Sequence, residues 1–314
     1  MSTILGHHHI SMLVKNAKVT NTFYKDILGL HRVKVTVNQD DPSMYHLFYG
    51  DRTGSPGTGL TFFEMPNIGR THRGTNAITR IGLMVPSEES LAYWKTRFED
   101  LDVYHGSITT YTKRRALKFE DPDGLQLVLL LADGEEMDTW EPYEQSEVPV
   151  EHQIRGMGPI EITVRDSVRF TETLTDRMKY KEVYRENSEM LFQTVKEDSY
   201  GEVLVKQLDG PDEKPGRGCI HHLALRVSEE SELQYWDEMA RQNRFPSSGE
   251  VDRYYFRSLY FREHNGILFE IATDGPGFTV DQDPEHLGKE LVLPPFLEDR
   301  REEIESRLEP IDQQ

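Results

Sequence analysis

The sequence predicts an α+β fold made of four tandem modules, each with a strand, a helix and about three further strands. One observation is a repeat: residues 81–91 and 223–231 are similar, and in both an apolar strand leads into Ser-Glu-Glu-Ser. A second is that the turns at 121–124 and 263–266 each precede a new apolar strand, as in a β-hairpin. A strand-helix unit followed by hairpin strands therefore occurs at least twice.

The same plan recurs in weaker form at the start of each half of the chain. Val14 and Val164 each end an apolar strand and are followed by apolar residues at helical spacing. The predicted helix N-caps are Asn16, Ser87, Asp166 and Ser228. The predicted modules span roughly residues 5–66, 77–132, 155–208 and 219–273.

These modules divide the chain into two halves. The N-terminal half covers residues 5–132 and the C-terminal half covers 154–274, with two modules in each. Residues 133–153 between them are rich in Glu and Pro and form a predicted acidic linker. Residues 275–314 follow the last module as a C-terminal tail.

Composition excludes several classes of function. The 314 residues are 36% hydrophobic, which suffices for two cores of ordinary size. The net charge of −19 disfavours nucleic acid and anionic membranes as partners. The single cysteine, Cys219, and the lack of an apolar leader favour a cytoplasmic location.

Candidate metal ligands follow from equivalent positions in the modules. Five residues before the valine that ends the first strand, the four modules hold His9, Arg80, Pro159 and His222. Four residues after the hairpin glycine, the second module has Val128 and the fourth has Glu270. Two imidazoles and a carboxylate are the ligands of a non-haem Fe(II) facial triad, and they also suit Mn(II) or Zn(II).

This ligand set predicts how the modules pair. If modules 1 and 2 packed together, His9 would lie in a different cup from His222 and Glu270. If module 1 packs against module 4, one cup receives all three ligands. Modules 2 and 3 then form a second, metal-free cup. We therefore expect the outer modules to pair with each other.

Other histidines lie outside these repeat positions and are interpreted as ordinary surface or packing residues. They include His31, His46, His72, His105 and His286.

The chain resembles the vicinal oxygen chelate superfamily, which contains glyoxalase I, bleomycin-resistance proteins and extradiol dioxygenases. The resemblance is carried by the four modules, the His8-His9 and His221-His222 pairs, and Glu270. Within that superfamily the pattern is similar to ring-cleaving dioxygenases that act on para-hydroquinones. It implies Fe(II) held by His9, His222 and Glu270, with a small aromatic substrate of hydroquinone or catechol type and O2 at the metal.

The resemblance also implies roles for residues around the metal. Arg253, Tyr260 and His221 match catalytic positions, whereas His8 and Ser11 match positions that contact substrate. Ser11 stands where the family tends to have threonine. Arg253 and Tyr260 differ in strand parity, so both can face the metal only if the chain bends or contains a bulge.

Two alternatives stay open at this point. A glyoxalase-like isomerase or lyase needs a fourth ligand, for which Glu64 is the candidate, five residues after Gly59 rather than four. A resistance-type binding protein needs only an aromatic cup and no metal. A homo-oligomer is compatible with either reading.

Overall fold

The polypeptide forms two curled sheets, described by a computed structural model over residues 2–132, 140–194 and 201–312. Modules 1 and 2 supply strands β1 (His7–Val14), β2 (His31–Val37), β3 (Tyr45–Gly50), β4 (Gly59–Glu64), β5 (Ala77–Val85), β6 (His105–Tyr111), β7 (Arg114–Glu120) and β8 (Gln126–Leu131). Modules 3 and 4 supply β9 (Met157–Val164), β10 (Lys181–Glu186), β11 (Glu189–Gln193), β12 (Val203–Gln207), β13 (Cys219–Val227), β14 (Ser247–Asp252), β15 (Phe256–Arg262) and β16 (Leu268–Pro276).

Each module carries its helix directly after its first strand. The α-helices are α1 (Ala17–Asn21), α2 (Glu88–Asp100), α3 (Ser167–Glu172), α4 (Leu233–Gln242) and, in the tail, α5 (Arg301–Glu305). Helices α1 and α3 continue as π-helical segments, Thr22–Ile27 and Thr173–Arg177. Short 3₁₀ turns lie at Val150–His152, Glu230–Glu232, Phe278–Val280, Pro284–His286 and Pro295–Arg300.

Three of the four predicted N-caps are confirmed. The side chains of Asn16, Ser87 and Asp166 each accept a hydrogen bond from the backbone N–H three residues later. The prediction for Ser228 is wrong, because Glu229 caps a 3₁₀ turn through a capping box with Glu232. The Glu232 carboxylate accepts hydrogen bonds from the backbone N–H groups of both Ser228 and Glu229.

The outer modules share one sheet, as the ligand positions require. Its strand order is β14-β15-β16-β13-β1-β4-β3-β2, and the other sheet has the order β10-β11-β12-β9-β5-β8-β7-β6. The central contact is an antiparallel pair in each sheet, β1 with β13 and β5 with β9. The predicted α+β class and the pairing of module 1 with module 4 are both confirmed.

Each half of the chain therefore contributes strands to both sheets. The division into halves at 5–132 and 154–274 stays a prediction about chain organisation, because each sheet draws on both halves. Part of the linker, 133–139, lies outside the described residues. In the tail, Leu297 and Ile304 are buried against Val37 of β2, which attaches this segment to module 1.

The modules are held together by a continuous apolar core beneath the sheets. Trp94 of α2 and Trp236 of α4 occupy equivalent positions in their helices, and both are buried. Among the described residues, no helix has the length and apolar character needed to cross a membrane.

Candidate metal centre and active-site cavity

Three side chains with metal-binding atoms meet on the concave face of the sheet formed by modules 1 and 4. His9 lies on β1, His222 on β13 and Glu270 on β16. Their ligand atoms all lie within 4.8 Å of one another, and all three residues are buried. The structure thus brings together the three residues predicted as metal ligands.

Strand register explains why they converge. His9 pairs with Ala224, and Ala224 pairs with Glu270 on the next strand. His222 is two residues before Ala224 and therefore lies on the same face of β13. The spacing in the sequence and the antiparallel β1–β13 contact together place two imidazoles and one carboxylate on one face.

The electrostatics of this cluster suit a cation. Glu270 Oε2 lies 3.2 Å from His9 Nε2 and 2.8 Å from His222 Nε2, yet it receives no hydrogen bond of normal geometry. Burial by itself raises the pKa of Glu270, but the two histidines outweigh it and hold this pKa well below its usual range. Burial lowers the pKa of His222. An ionised carboxylate and a neutral imidazole are the protonation states that metal ligands need.

A β-bulge explains how both members of each histidine pair reach the site. In the β1–β13 ladder the register shifts at His8 and again at His221, so each is the extra residue of a bulge. His8 Nδ1 lies 2.8 Å from His9 Nδ1, and His221 Nδ1 lies 2.8 Å from His222 Nδ1. Each contact engages the Nδ1 atom of the metal-position histidine and leaves its Nε2 atom for the cluster.

His8 and His221 differ in what surrounds them. His8 also hydrogen-bonds through Nε2 with the Thr273 carbonyl at 3.1 Å, and it is absent from the residues that line the cavity in the described structure. His221 lines the cavity. Burial, the main cause in both cases, lowers the pKa of His8 to about 3 and the pKa of His221 to about 4. His221 is therefore neutral near pH 7 and can accept a proton, but it is a weaker base than the near-neutral pKa expected from its residue type would make it.

Arg253 and Tyr260 both face the cavity because the chain bends between them. Tyr260 pairs with Glu270 across β15 and β16, whereas Arg253 lies beyond the end of β14, next to Tyr254 with its positive φ of 70°. Arg253 Nε donates a hydrogen bond to Tyr260 Oη at 3.2 Å. The parity conflict in the sequence is thus resolved by a turn outside the strand.

Module 1 contributes further polar side chains beside the metal cluster. Ser11 Oγ lies 2.9 Å from His222 Nε2 and 2.7 Å from Thr61 Oγ1. The Thr61 hydroxyl in turn hydrogen-bonds with His46 Nε2 at 3.2 Å. These side chains place hydroxyl groups beside the cluster on the side away from Glu270.

Glu64 does not join the cluster. It pairs with Val14 on β1, whereas Thr61 pairs with Ser11, so Glu64 lies on the opposite face from Thr61. Its Oε1 accepts a hydrogen bond from the Ala17 backbone N–H at 2.8 Å, at the start of α1. Because Glu64 lies an odd number of residues from Thr61, its carboxylate points away from the site. It therefore cannot serve as the fourth metal ligand that a glyoxalase-like site needs.

The cluster opens into a cavity of about 530 Å³. Its polar lining includes Arg253, Tyr260, His221 and His46. The apolar part of the lining is formed by Leu13, Met44, Phe48, Phe63, Met65, Phe256 and Leu268. A cavity of this size with aromatic walls and a few polar groups is suited to a small aromatic molecule.

His46 and Thr61 were missed by sequence reasoning. His46 matches no histidine in the other modules, which predicts an ordinary surface or packing residue, but it lines the cavity. Thr61 was hidden because a hydroxyl residue in a strand carries no specific signal. Aligning β4 with β16 from their pairing partners, rather than from turn glycines, would have placed Thr61 opposite Glu270.

The fold and the His-His-Glu cluster define a class: metal-site proteins of paired βαβββ modules. Residues 6–129 match the model of the Glyoxalase/Bleomycin resistance protein/Dioxygenase superfamily. A crystal structure of a dioxygenase-type protein from Bacillus subtilis subsp. subtilis str. 168 superposes with a TM-score of 0.92 and 31% identity, covering 99% of each chain. Glyoxalase I from Zea mays has a TM-score of 0.63 at 10% identity, with 86% of this chain and 92% of that chain covered, and shares the fold alone.

Proteins with similar sequences indicate which enzymes of this class the chain is related to. The chain is 46% identical over 312 residues to MhqA of Bacillus subtilis (strain 168), a protein named for ring-cleaving dioxygenase activity, with 98% of each chain covered. It is 28% identical over 312 residues to the chlorohydroquinone/hydroquinone 1,2-dioxygenase of Sphingobium indicum, covering 95% of this chain and 94% of that one. The chain belongs to the glyoxalase/bleomycin resistance/dioxygenase superfamily, and the predicted enzyme class, a ring-cleaving dioxygenase, is confirmed. Membership of this group implies a divalent metal, an aromatic substrate and O2.

Proposed function

We propose that the protein is an Fe(II)-dependent dioxygenase that opens the ring of a hydroquinone-type phenol. The observation that carries this proposal is the buried three-ligand cluster of His9, His222 and Glu270, which opens into an aromatic cavity. A metal ion held by three protein ligands keeps open coordination positions for small molecules, as in non-haem Fe(II) oxygenases. Mn(II) and Zn(II) fit the same donor atoms, so the choice of iron rests on the dioxygenase chemistry of the relatives.

Fe(II) bound by these residues would supply the one-electron chemistry that allows O2 to react with a closed-shell phenol. The overall reaction adds one oxygen atom of O2 to the hydroxyl-bearing ring carbon and the other to the adjacent ring carbon, and it breaks the bond between these two carbons. The product class is an acyclic unsaturated acid. No reductant beyond the substrate is needed.

The protein groups around the metal have separable tasks in this scheme. Neutral His221 accepts the proton of the reacting hydroxyl. Tyr260 donates a hydrogen bond to the resulting phenolate oxygen. Arg253, held by Tyr260, places positive charge where negative charge develops on oxygen. Phe63 and Phe256 shape the aromatic walls that hold the ring.

The predicted substrate contacts of Ser11 and His8 remain predictions, and the two residues differ in whether they reach the cavity. Ser11 lines the cavity and can contact a bound ring directly. His8 lies behind His9 and acts in this proposal by orienting the His9 ring, since orienting partners of metal-bound imidazoles set ligand geometry. A cytoplasmic location and a homo-oligomeric state also stay predictions.

The test is anaerobic loading with Fe(II), followed by O2 uptake with a substituted hydroquinone. We expect one O2 consumed per ring lost, with ¹⁸O from ¹⁸O2 in the product. Glu64→Gln is a matched control, because its amide oxygen can still accept from Ala17 and it lies outside the cluster. Iron at full occupancy without O2 uptake or loss of ring absorbance contradicts the proposal.

A further inference from the structure

Modules 1 and 4 are related by the antiparallel pairing of β1 with β13, so each ligand position has a counterpart across the site. His9 and His222 are counterparts. Glu270 is paired with the residue two positions after His222, and Thr61 is paired with the residue two positions after His9. Thr61 therefore occupies the position in module 1 that Glu270 occupies in module 4.

The residues that support these two positions are counterparts as well. Ser258, on β15, donates a hydrogen bond to Glu270 Oε1 at 2.5 Å. Ser258 lies two residues before the partner of Glu270 in the ladder, and His46 lies two residues before the partner of Thr61. Module 4 thus has a carboxylate supported by a hydroxyl, whereas module 1 has a hydroxyl supported by an imidazole.

The module 1 groups form a continuous hydrogen-bonded chain that ends at the metal site. It runs from His46 Nε2 to Thr61 Oγ1, then to Ser11 Oγ, and from there to His222 Nε2. The last atom is the ligand atom of His222. A metal ion held by that nitrogen would take up its lone pair, and the Ser11 hydroxyl, which lines the cavity, would then be available to a bound molecule.

His46 is fixed in place by aromatic packing. Its ring lies between Phe48 and Phe63, with ring centroids 4.1 and 4.0 Å away. An imidazole held in this way has little rotational freedom, so it can hold the orientation of the hydroxyl with which it hydrogen-bonds. The packing and the polar contact are separable, because a phenyl ring could occupy the same space.

We propose that His46 is a positioning residue: acting through Thr61, it orients the Ser11 hydroxyl toward the molecule bound on the open side of the metal site. Thr61 is fully buried and passes this orientation on to Ser11, whose side chain lines the cavity. This inference rests on the proposed function, since it assumes that substrate binds opposite Glu270. It assigns a role to two residues of module 1 that are not themselves candidate metal ligands.

The experiment uses two pairs of variants in the full chain. His46→Phe keeps the aromatic packing and removes the hydrogen bond, whereas His46→Gln restores a group that can hydrogen-bond. Thr61→Val is close in shape to threonine but lacks the hydroxyl, and Thr61→Ser keeps it. Each variant is loaded with redox-inert Zn(II) without oxygen, and hydroquinone affinity is measured by calorimetry. Zn(II) affinity and the thermal midpoint are recorded beside it.

We expect Thr61→Val and His46→Phe to weaken hydroquinone binding by about 10-fold, the size expected from one lost hydrogen bond of 1–1.5 kcal/mol. Zn(II) affinity should stay within about 3-fold of wild type. Thr61→Ser and His46→Gln should recover most of the loss. The double variant His46→Phe/Thr61→Val should bind no more weakly than Thr61→Val alone, because the two residues act as one unit.

Losses that multiply in the double variant overturn the proposal, since they show that His46 does not act through Thr61. Wild-type binding by both His46→Phe and Thr61→Val overturns it too. If His46→Phe does not fold, Thr61→Val and Thr61→Ser decide the question, and equal binding by these two variants counts against it. Because Zn(II) supports no oxygen chemistry, these results do not depend on whether the iron-loaded enzyme consumes O2.

Discussion

The two cups of this protein share one architecture but differ in how each satisfies a buried carboxylate. In the cup of modules 1 and 4, Glu270 Oε2 faces two imidazoles and receives no hydrogen bond of normal geometry. In the cup of modules 2 and 3, Glu161 binds Lys206 Nζ at 3.0 Å and accepts hydrogen bonds from Thr79 and Tyr111. The contacts of Glu270 are with imidazoles that can bind a metal ion together with it. The contacts of Glu161 are with a lysine and two hydroxyl groups, which neutralise and hydrogen-bond it without a metal.

Side chains at equivalent positions account for the difference. The histidine positions hold Arg80 and Pro159 in the second cup, and the carboxylate positions hold Val128 and Leu204. Arg80, Lys118 and Lys206 also lie within 6 Å of the Tyr111 ring, which adds cation–π contacts. The fold supplies the concave surface in both cups. A few side chains decide whether that surface binds a metal ion or is occupied by lysine and arginine side chains of the protein.

Replacing the Glu270 carboxylate should have the largest effect. Glu270→Gln should lower metal affinity by on the order of 100-fold or more and abolish measurable ring cleavage, since a metal ligand and its charge are lost. Isothermal titration with Fe(II) or Mn(II) measures the first effect and O2 uptake the second.

Glu161→Gln is the matched variant in the second cup. It should leave metal affinity unchanged and lower the free energy of unfolding by about 1–3 kcal/mol, because Lys206 and Tyr111 lose a charged partner. Equal loss of metal affinity in both variants contradicts the assignment of the site to the first cup.

Adding a carboxylate opposite Glu270 should convert the open site toward a four-ligand one. Thr61→Glu should raise divalent metal affinity by about 10-fold and lower the rate of ring cleavage by about 100-fold, since a coordination position is filled. Thr61→Gln adds similar bulk without the charge and should not raise metal affinity. An active Thr61→Glu enzyme with unchanged metal affinity argues that position 61 does not face the metal.

The buried tyrosines offer a smaller test of the same contrast. Tyr260→Phe should lower kcat/KM by about 10–100-fold, because the phenol is proposed to hydrogen-bond the reacting oxygen. Tyr111→Phe removes a hydroxyl that hydrogen-bonds Glu161 in the second cup and should cost about 1 kcal/mol of stability with no change in kcat/KM. Steady-state kinetics and urea unfolding separate the two results.

Acid should destabilise the metal-free protein through the buried histidines of β1. Burial, the main cause, lowers the pKa of His7 to about 4 and the pKa of His8 to about 3, whereas both titrate near 6.5 when unfolded. Between about pH 6.5 and 4 the unfolded chain therefore binds more protons, so the free energy of unfolding falls as pH falls. Glu270, with its lowered pKa, adds stability that is present above about pH 4.5 and is lost as the pH falls through its folded pKa.

Urea unfolding in the presence of a chelator checks this linkage. The expected loss between pH 7 and pH 5 is on the order of 1–2 kcal/mol for each buried histidine. Replacing His8 with Asn should flatten the dependence, whereas a substitution at Pro159 in the second cup removes no titrating group. A midpoint that does not change between pH 7 and pH 5 shows that the folded and unfolded chains bind equal numbers of protons, which contradicts the lowered pKa values.

Much of the fold could be read from the chain because local signals agree with one another. Strand and helix periodicity, caps such as Ser87 and the hairpin turns are set by residues close in sequence. The repeat made the ligand positions of His9, His222 and Glu270 recognisable. It also predicted the pairing of the outer modules, since only that pairing brings all three ligands together.

Other features depended on contacts between strands far apart in the chain. The bulges at His8 and His221 arise from the β1–β13 register, and the exclusion of Glu64 arises from its pairing with Val14. Likewise, His46 joins the site through a hydrogen bond to a strand neighbour.

The sequence by itself determined the modules and identified the three candidate ligands, because both rest on residue type at a repeated local spacing. The enzyme class followed from the family resemblance that this pattern carries. Tertiary structure alone decided which neighbouring side chains face the metal site. A shift of one residue in strand register reverses the face on which a side chain lies, and register is set by pairing across the sheet rather than by local sequence.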